Sequence, residues 1–548
     1  MDCISLDKKK QVVDYFLQKK TLIGKDFIEK VNNNFDHKQF YYWLFDKLKE
    51  NREFCILDQD ALSIFNEGSS VNWLDLEKRK ALDQKASRQQ DAKKQPESKD
   101  EKHSSVQEEM DASDEAADRS STDMCRTGKP CVKVIASYDE EPKKKNISDF
   151  VYLFNRRYEA LKKILMNRQE LQNLTSISRL AGKKDRSTCS IIGAVLEKSM
   201  TSNNNFMLTL EDQTGVIKVF VGQNKPELFE IAREIVLDEI IGVSGTSGDN
   251  IIFANNITLP DIPVHTEVKK APDESYALFL SDIHVGSDCF LPEEFNKFLS
   301  WINGESGNEK QKELASKVDY IFIAGDLVDG VGIYPNQDTE LEIDDIYDQY
   351  NECARLLNKI PKRIKIIICP GNHDALRISE PQPVLSREYA KALWDMENVV
   401  MVSNPSIINI HSSSGFPGFD ILLYHGYSFD YYVANVETIR EKGGYDRADL
   451  IMKFLLQRRH LAPAYSSTLY VADPNKDHLV LESIPDFFIT GHIHKSYVSN
   501  YRNITTVCGS CWQSTTSFQE KVGHNPEPAR VPLVNLQTRK VKILRFDK

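Results

Sequence analysis

The chain has 548 residues, and its 70 basic and 81 acidic side chains leave a formal net charge of −11. This length allows about two to four domains, and a hydrophobic content of 41% is sufficient for buried cores. The acidic balance disfavours a protein that binds bare duplex DNA through a broad basic face, although a local basic groove stays compatible with it. No signal peptide opens the chain and no apolar run approaches the roughly 18 residues of a membrane helix, so we expect a soluble cytoplasmic protein without a membrane partner.

The first 75 residues predict a small helical interaction domain. Apolar side chains recur there at helical spacing in three groups, around Phe16, Phe27 and Trp43. None of these groups carries residues typical of catalysis.

Residues 76–145 predict a disordered charged linker. No aromatic residue occurs between Trp73 and Tyr138, and Lys, Glu, Asp, Gln, Ser and Ala dominate the composition. Such a segment cannot bury enough apolar surface to offset the entropy lost on ordering the chain.

Residues 146–185 predict a helical connector. The apolar positions at helical spacing are Phe150, Phe154, Tyr158, Leu161 and Leu165. The basic residues of the same segment are Arg156, Arg157, Lys162 and Lys163. Two interpretations stay open: a basic helix that contacts DNA, or a packed helix with a solvated basic face, which is the commoner outcome.

Residues 186–262 change to short strands separated by Asn-rich and Gly-rich turns, with one helical segment, PELFEIAREIV, inserted among them. Five strands and a helix in this order predict an OB-fold barrel. Such barrels bind single strands through aromatic side chains in a basic groove. Because few aromatic residues lie on the predicted strands (Phe206, Phe220 and Phe253), we expect only a limited DNA contact here.

Residues 272–548 contain five motifs with one layout, in which a run of Ile, Leu, Phe or Val ends abruptly in polar residues or glycine. The motifs are LFLSDIH, IFIAGDLVDG, IIICPGNHD, ILLYHG and FFITGHIH. The apolar runs are typical of strands buried on both faces, and the helical patterns between them predict a layered α/β domain. Polar groups beyond the carboxyl ends of such strands converge on one crevice.

The polar residues of these motifs are of metal-ligand types. They are Asp282, His284, Asp326, Asn372, His373, His425, His492 and His494. Carboxylate, imidazole and amide oxygen suit manganese, iron or zinc, and the lack of a thiolate in the motifs argues against a structural sulfur site. Asp326 is placed to bridge two ions, the arrangement that activates a water and clamps a phosphate during in-line displacement. A turn or a strand cap explains any one motif alone, but five such motifs in one chain favour a metal site.

Three further residues of the third motif and its flank are candidates for substrate chemistry. His373 is a candidate to protonate the leaving oxygen or to stabilise charge on the phosphate, with Asp374 orienting it. Arg377 leaves two interpretations open, because it could hold a substrate phosphate bidentately or form a surface ion pair with Glu380.

The series DIH, GDLVDG, GNHD, HG and GHIH resembles the calcineurin-like metallophosphoesterase superfamily in its order and in every ligand position. The surrounding words SDIHVGS, GNHDALRISEPQP, YHGYSFD and TGHIHKS, preceded by LEDQTG, are similar to the small subunits of archaeal family-D DNA polymerases. Those subunits are the proofreading partners of a large polymerising subunit. The resemblance covers about the last half of the chain.

The resemblance implies a multidomain α+β protein, with an N-terminal helical domain, an OB-fold barrel and a C-terminal layered α/β phosphoesterase domain acting as a 3′–5′ exonuclease. It implies one divalent ion held by Asp282, His284, Asp326 and His494, and a second held by Asp326, Asn372, His425 and His492. Manganese is the expected activating ion, with magnesium, iron or zinc as alternatives. The expected partners are the large catalytic subunit of DNA polymerase D and a primer 3′ end, single-stranded or mismatched, at the nucleoid.

Two other functions stay open at this point. A non-catalytic scaffold subunit, as in related eukaryotic polymerases, would have lost ligands, whereas all eight motif positions are intact in this chain. A stand-alone phosphatase or cyclic-nucleotide phosphodiesterase needs neither an attached barrel nor a long N-terminal extension.

Overall fold

The computed structural model describes residues 130–140, 143–180, 186–264, 267–516, 519–520 and 524–547, together with Val12. The predicted N-terminal helical domain and most of the predicted linker therefore lie outside the described residues. None of the helices in the described ranges is long and apolar enough to cross a membrane.

The strands of the described chain are numbered in chain order. They are β1 (Val132–Ser137), β2 (Thr188–Met200), β3 (Phe206–Asp212), β4 (Gly215–Val221), β5 (Ile240–Gly248), β6 (Ile251–Thr258), β7 (Tyr276–Leu280), β8 (Val318–Ala324), β9 (Lys365–Cys369), β10 (Val399–Met401), β11 (Ser406–Ile410), β12 (Phe419–Leu423), β13 (Phe487–Thr490), β14 (Tyr497–Tyr501), β15 (Ile504–Cys508), β16 (Arg530–Asn535) and β17 (Val541–Arg545).

The helices of the same ranges are α1 (Ile147–Leu165), α2 (Ile177–Leu180), α3 (Pro226–Glu234), α4 (Pro292–Ile302), α5 (Glu309–Ser316), α6 (Ile346–Leu357), α7 (Lys391–Trp394), α8 (Phe429–Asn435), α9 (Glu437–Glu441) and α10 (Ala448–Arg458). Short 3-10 turns occupy Gln337–Glu340, Gly444–Asp446 and Tyr465–Ser467.

Two six-stranded sheets form the centre of the C-terminal region. The first has the order β1-β11-β12-β13-β15-β14, and the second has the order β10-β9-β8-β7-β16-β17. Strands β7, β8 and β9 run parallel in the second sheet, and β12 and β13 run parallel in the first. These five strands are almost entirely buried, as expected from their apolar sequences.

The two sheets pack face to face, and helices cover their outer faces. Phe279 stacks on Phe322 of its own sheet with ring centroids 5.4 Å apart, and it meets Phe487 of the other sheet at 6.2 Å. These rings belong to a core that both sheets share. Helices α4 and α6 cover the second sheet, whereas α8 and α10 cover the first. The predicted layered α/β domain is confirmed.

Strand β1 corrects the predicted linker. It pairs antiparallel with Ser406–Ile410 at the edge of the first sheet. The Cys131 N–H donates to the Tyr320 hydroxyl at 3.1 Å, and the Tyr138 N–H donates to Ser403 Oγ at 2.7 Å. The predicted linker is therefore wrong from residue 132 onward, because the short apolar run VKVIAS finds its partner strand far away in the chain.

Strands β2 to β6 form a closed barrel in the order β2-β3-β4-β6-β5. Strands β4 and β6 are parallel, and the other neighbouring strands are antiparallel. Helix α3 connects β4 to β5, and its Leu228 and Ala232 pack into the barrel core. The predicted five-stranded barrel with one inserted helix is confirmed.

Helix α1 is packed rather than free. Its buried residues are Leu153, Arg157, Tyr158, Leu161 and Leu165. The predicted apolar face is right at its last three positions and wrong at Phe150 and Phe154, of which the second is 36% exposed. The buried face instead includes Leu153 and Arg157, and Arg157 donates from Nε to Asp477 Oδ2 at 2.6 Å. Asp477 also lies 3.0 Å from His460 Nε2, so this ion pair ties α1 to the phosphoesterase domain.

We expect Arg157→Met to lower the melting midpoint strongly, by an amount equivalent to about 3–5 kcal/mol, because it leaves the buried Asp477 carboxylate without its cation. Arg156→Met is the matched control, since Arg156 is the exposed neighbour on the same helix and should cost less than about 0.5 kcal/mol. Thermal unfolding followed by circular dichroism checks both. Equal midpoints for the two variants would contradict the role given to this ion pair.

Candidate metal centre

The five motifs place their polar residues directly after five buried strands. Asp282 and His284 follow β7, and Asp326 follows β8. Asn372 and His373 follow β9, while the remaining histidines follow β12 and β13 of the other sheet. Because the parallel strands of each sheet end at the same edge, all five loops meet at one place.

The backbone is unusual at the motif residues. Positive φ angles occur at Asp282 (50°), His284 (53°), Asp326 (51°), His492 (71°) and His494 (53°). Left-handed backbone is uncommon for residues other than glycine and is retained mainly where the surrounding structure and function require it. Each such residue turns the chain sharply at a strand end, so that its side chain faces the neighbouring loops.

Two glycines allow these loops to approach one another closely. A Cβ atom on Gly371 would collide with Oδ1 and the backbone nitrogen of Asp326, and one on Gly491 would lie 2.6 Å from Asp282 Oδ2. Side chains at these two positions would push the carboxylates out of place.

The first group of candidate ligands is Asp282, His284 and His494, all of them buried. Nε2 of His494 lies 3.5 Å from Asp282 Oδ1 and 3.2 Å from His284 Nε2. Carboxylate oxygen and two imidazole nitrogens at such spacing could hold one divalent ion.

A second group forms around Asp326. Its Oδ2 atom lies 3.3 Å from His425 Nε2 and 3.8 Å from His284 Nε2. His425 Nε2 is also 2.9 Å from Asn372 Oδ1. Asp326 belongs to two of the three ligand groups found in the described residues, as Asp282 and His284 also do, and two-group membership is compatible with a bridging carboxylate.

His492 stands beside the second group with its ring turned aside. Its backbone N–H donates to Asp282 Oδ2 at 3.0 Å, and its ring centroid is 5.1 Å from that of His425. Its Nε2 atom, however, lies 3.1 Å from Asp430 Oδ2. The structure thus brings His492 to the wall of the site and pairs its ring with Asp430.

His373 lies at the mouth of the same site. Its backbone N–H donates to Asp326 Oδ1 at 2.8 Å, and its ring meets that of His284 edge-on with centroids 4.7 Å apart. Its Nδ1 atom lies 2.8 Å from the Asp329 carbonyl oxygen, which can only accept. Nδ1 therefore carries the proton of this hydrogen bond and leaves Nε2 as the free nitrogen.

Several residues that orient the imidazoles were missed in the sequence. Asp329 Oδ1 lies 3.0 Å from His284 Nδ1, Gln519 Nε2 lies 2.9 Å from His494 Nδ1, and the Ala324 carbonyl accepts from His425 Nδ1 at 2.7 Å. Partners of this kind fix ring orientation at metal sites. Asp329 stands within the GDLVDG motif and could have been suspected, whereas Gln519 lies outside all five motifs.

Burial and neighbouring positive charge shift the pKa values of Asp282 and Asp326 in opposite directions. Burial alone would raise the pKa of Asp282 and of Asp326, but His494 beside the first and His425 beside the second hold both pKa values below the usual range. Burial likewise disfavours the charged form of His425, yet the nearby Asp326 raises its pKa to about 10. The site is therefore built to keep two buried carboxylates ionised next to positive charge.

The donor set fits divalent cations. Carboxylate, imidazole and amide oxygens converge, and the three ligand groups within the described residues contain no thiolate. Four of their members, His284, Asp326, His373 and His494, line a cavity of about 260 Å³ together with Asn372 and His492. Manganese, iron, zinc and magnesium are all compatible with ligands of these types.

Asp374 corrects one prediction. Its Oδ1 accepts from the Tyr350 hydroxyl at 3.0 Å and its Oδ2 from the Gly371 N–H at 2.8 Å. Burial, with the negative Asp326 nearby, raises the pKa of Asp374 to about 7. Asp374 thus points behind the loop and braces it, while the His373 ring is oriented by Asp329 instead. The predicted orienting contact between Asp374 and the His373 ring is therefore not made, and a catalytic role for Asp374 stays a prediction.

Arg377 corrects a second prediction. Its guanidinium donates to the Pro381 carbonyl at 2.8 Å and lies over the Tyr138 ring, 5.4 Å from its centroid. It is not among the residues that line the cavity. The local chain uses the guanidinium to hold its own turn and Tyr138 instead of the predicted ion pair with Glu380, and the phosphate-binding interpretation stays a prediction.

Residues 276–496 match the family model described as calcineurin-like phosphoesterase, and the fold and the site define this region as a metallophosphoesterase domain. The DNA polymerase II small subunit of Methanothermobacter thermautotrophicus is 42% identical over 401 residues, which cover 73% of this chain and 80% of that relative. The one from Archaeoglobus fulgidus is 42% identical over 387 residues, covering 70% and 75%. The one from Pyrococcus furiosus is 38% identical over 404 residues, covering 73% and 64%.

The chain belongs to the family of DNA polymerase II small subunits. The resemblance seen in the motifs is thereby confirmed. An archaeal phosphodiesterase of known structure aligns with 49% of this chain and 98% of its own length at 12% identity, but its TM-score of 0.24 is too low to carry an argument.

Proposed function

We propose that this chain is a two-metal 3′–5′ exonuclease that removes nucleotides from DNA 3′ ends as the proofreading subunit of a two-subunit DNA polymerase. The observation that carries the proposal is the convergence of carboxylates, imidazoles and an amide from five strand ends at one place, with Asp326 shared between ligand groups. Membership of the polymerase small subunits makes DNA the substrate to expect.

The proposed ligands of one ion are Asp282, His284, Asp326 and His494, and those of the other are Asp326, Asn372, His425 and His492. Two divalent ions, with manganese as the activator, would supply a nucleophilic water and neutralise charge on the phosphate when bound. Asp430 lies 3.1 Å from Nε2 of His492, so Nδ1 is the ring nitrogen that His492 would offer to an ion in this orientation.

His373 is the proposed proton donor or charge stabiliser at the leaving oxygen, and it donates from Nε2 in the imidazolium form, which carries a proton on each ring nitrogen. Its Nδ1 is held by the Asp329 carbonyl at 2.8 Å, so the free Nε2 is the atom available to substrate. Asp329 also holds His284 through its carboxylate, at 3.0 Å. One residue thus positions a ligand and the proton donor together, which supports a catalytic rather than a scaffolding role for this centre.

The proposed partner is a large polymerase subunit, since the relatives are named as small subunits of DNA polymerase II. The strand order of the β2 to β6 barrel and its inserted helix support its assignment as an OB-fold. We propose that this barrel helps to form the interface with the large subunit. A non-catalytic scaffold would not need to retain every ligand. A phosphomonoesterase would not need the barrel.

The direct test offers the purified chain, with manganese, a labelled mismatched primer end beside a simple phosphate monoester. We expect stepwise release of nucleotides and no turnover of the ester. Asp326→Asn should abolish release and lower manganese occupancy, because it removes the shared charge while keeping Oδ1 for the His373 N–H. Unchanged circular dichroism controls for folding. Digestion by this variant at the parental rate would place the reaction elsewhere.

The roles of His373 and Asn372 should be distinguishable when each residue is changed individually. His373→Ala should retain both ions and still bind a DNA 3′ end, yet lose cleavage by on the order of 10²-fold or more, the usual size of an acid–base contribution. Asn372→Ala should instead weaken manganese binding and recover partly with excess manganese, because it removes a neutral oxygen ligand. Metal content and manganese-titrated cleavage rates distinguish them, and the opposite pattern would exchange the two roles.

Assembly with the large subunit should not require residues 1–129. Removal of residues 1–137 is the informative comparison, since it also deletes β1 and exposes the edge of β11. We expect the shorter deletion to co-purify with the large subunit like the full chain, and the longer one to have a lower melting midpoint. Loss of assembly in the shorter deletion, at an unchanged melting midpoint, would assign the interface to the N-terminal part.

A further inference from the structure

A second cavity, of about 670 Å³, opens beside the candidate metal centre. We call it the aromatic groove. Its ring-bearing and apolar lining residues are Phe150, Tyr427, Tyr431, Tyr465, Leu469 and Tyr470. They come from the N-terminal end of α1, the loop after β12, helix α8 and the segment after α10.

The groove is continuous with the metal centre. Tyr427 and Asp430 line both cavities. The Tyr427 ring centroid lies 5.9 Å from that of His492, a candidate ligand. A strand whose scissile phosphate sits at the metal centre would therefore extend directly over these aromatic residues.

The outer part of the groove is a fixed aromatic platform. Tyr465 stacks on Tyr470 with centroids 5.6 Å apart and planes only 8° from parallel. The Arg157 guanidinium lies over the Tyr470 ring at 4.9 Å, and the Tyr470 hydroxyl donates to the Ala464 carbonyl at 3.1 Å. The Tyr465 N–H donates to Asp238 Oδ2 at 2.9 Å.

The platform is held from below but open above. Tyr465 is 51% exposed and Leu469 is 58% exposed, although the residues beneath them are buried or hydrogen-bonded. Of the residues that line the groove in the described part of the chain, none is Lys or Arg. The charged one is Asp430, which is paired with His492. Such a surface suits the flat faces of bases better than phosphates or an intact duplex, whose base faces are hidden.

We infer that the aromatic groove binds unpaired bases of the DNA strand upstream of the scissile phosphate, with Tyr465 as a stacking residue. This inference rests on the proposed exonuclease function and adds to it a stacking site for the bases upstream of the cleaved nucleotide. A matched duplex end cannot reach the platform until its terminal pairs open, so a mismatch would favour entry.

The test compares the full chain with Tyr465→Ala on an oligothymidylate of about twelve nucleotides and on a thymidine dinucleotide. We expect a rise in KM of ~10-fold for the oligonucleotide, because one stacking contact is lost, with kcat unchanged. The dinucleotide is too short to cover the platform, so its kinetics should not change. The ratio of KM values should hardly vary with salt, since no phosphate contact is removed.

Two further variants serve as controls for Tyr465→Ala. Tyr465→Phe keeps the ring and should behave as the parent chain does. Tyr347→Ala is the matched control, because Tyr347 is a 43% exposed tyrosine stacked on Tyr389 at 5.3 Å that lines neither cavity. Fluorescence anisotropy of the labelled oligonucleotide with EDTA present gives Kd without cleavage, and Tyr465→Ala should raise it by about 10-fold.

The readouts separate this inference from the proposed function. Tight oligonucleotide binding that depends on Tyr465, without any cleavage by the parent chain, would support the groove and overturn the exonuclease. Cleavage by the parent chain with identical KM and Kd in Tyr465→Ala would overturn the groove alone. Unchanged DNA kinetics with loss of the large subunit in Tyr465→Ala would also overturn it, and would assign the platform to a protein partner.

Discussion

The site of the phosphoesterase domain depends on two buried carboxylates, Asp282 and Asp326, that are kept ionised. An ionised carboxylate withdrawn from water costs several kcal/mol unless positive charge stands next to it. The imidazoles of His425 and His494 lie 3.3 and 3.5 Å from these carboxylates. The left-handed turns and close glycine contacts around them persist because the same loops must bring acid and imidazole together. That balance also suits divalent cations.

The ligands come from two sheets, so their spacing depends on how the sheets pack. Phe279, Phe322 and Phe487 fill the core between the sheets. Close-packed interiors change shape very little, and this core therefore fixes the separation of the strand ends on either side.

One buried arginine connects the barrel side of the molecule to the metal side. Arg157 of α1 pairs with Asp477 at 2.6 Å and also lies over the Tyr470 ring. The ion pair that attaches α1 thus also places the Arg157 guanidinium against Tyr470, which lines the aromatic groove. Of the basic residues of α1, Arg157 is buried and supports the aromatic platform from below the surface.

Local sequence determined the five strand-to-ligand transitions and the barrel, because strand periodicity and the residues that end a strand are properties of a few neighbouring positions. It also supplied every member of the ligand groups found around Asp326. Tertiary structure alone decided which way adjacent side chains face: Asp374 turns back to Tyr350, and Arg377 to its own turn. It likewise decided that β1 is a strand, since an edge strand is stable only when a distant partner offers its hydrogen bonds.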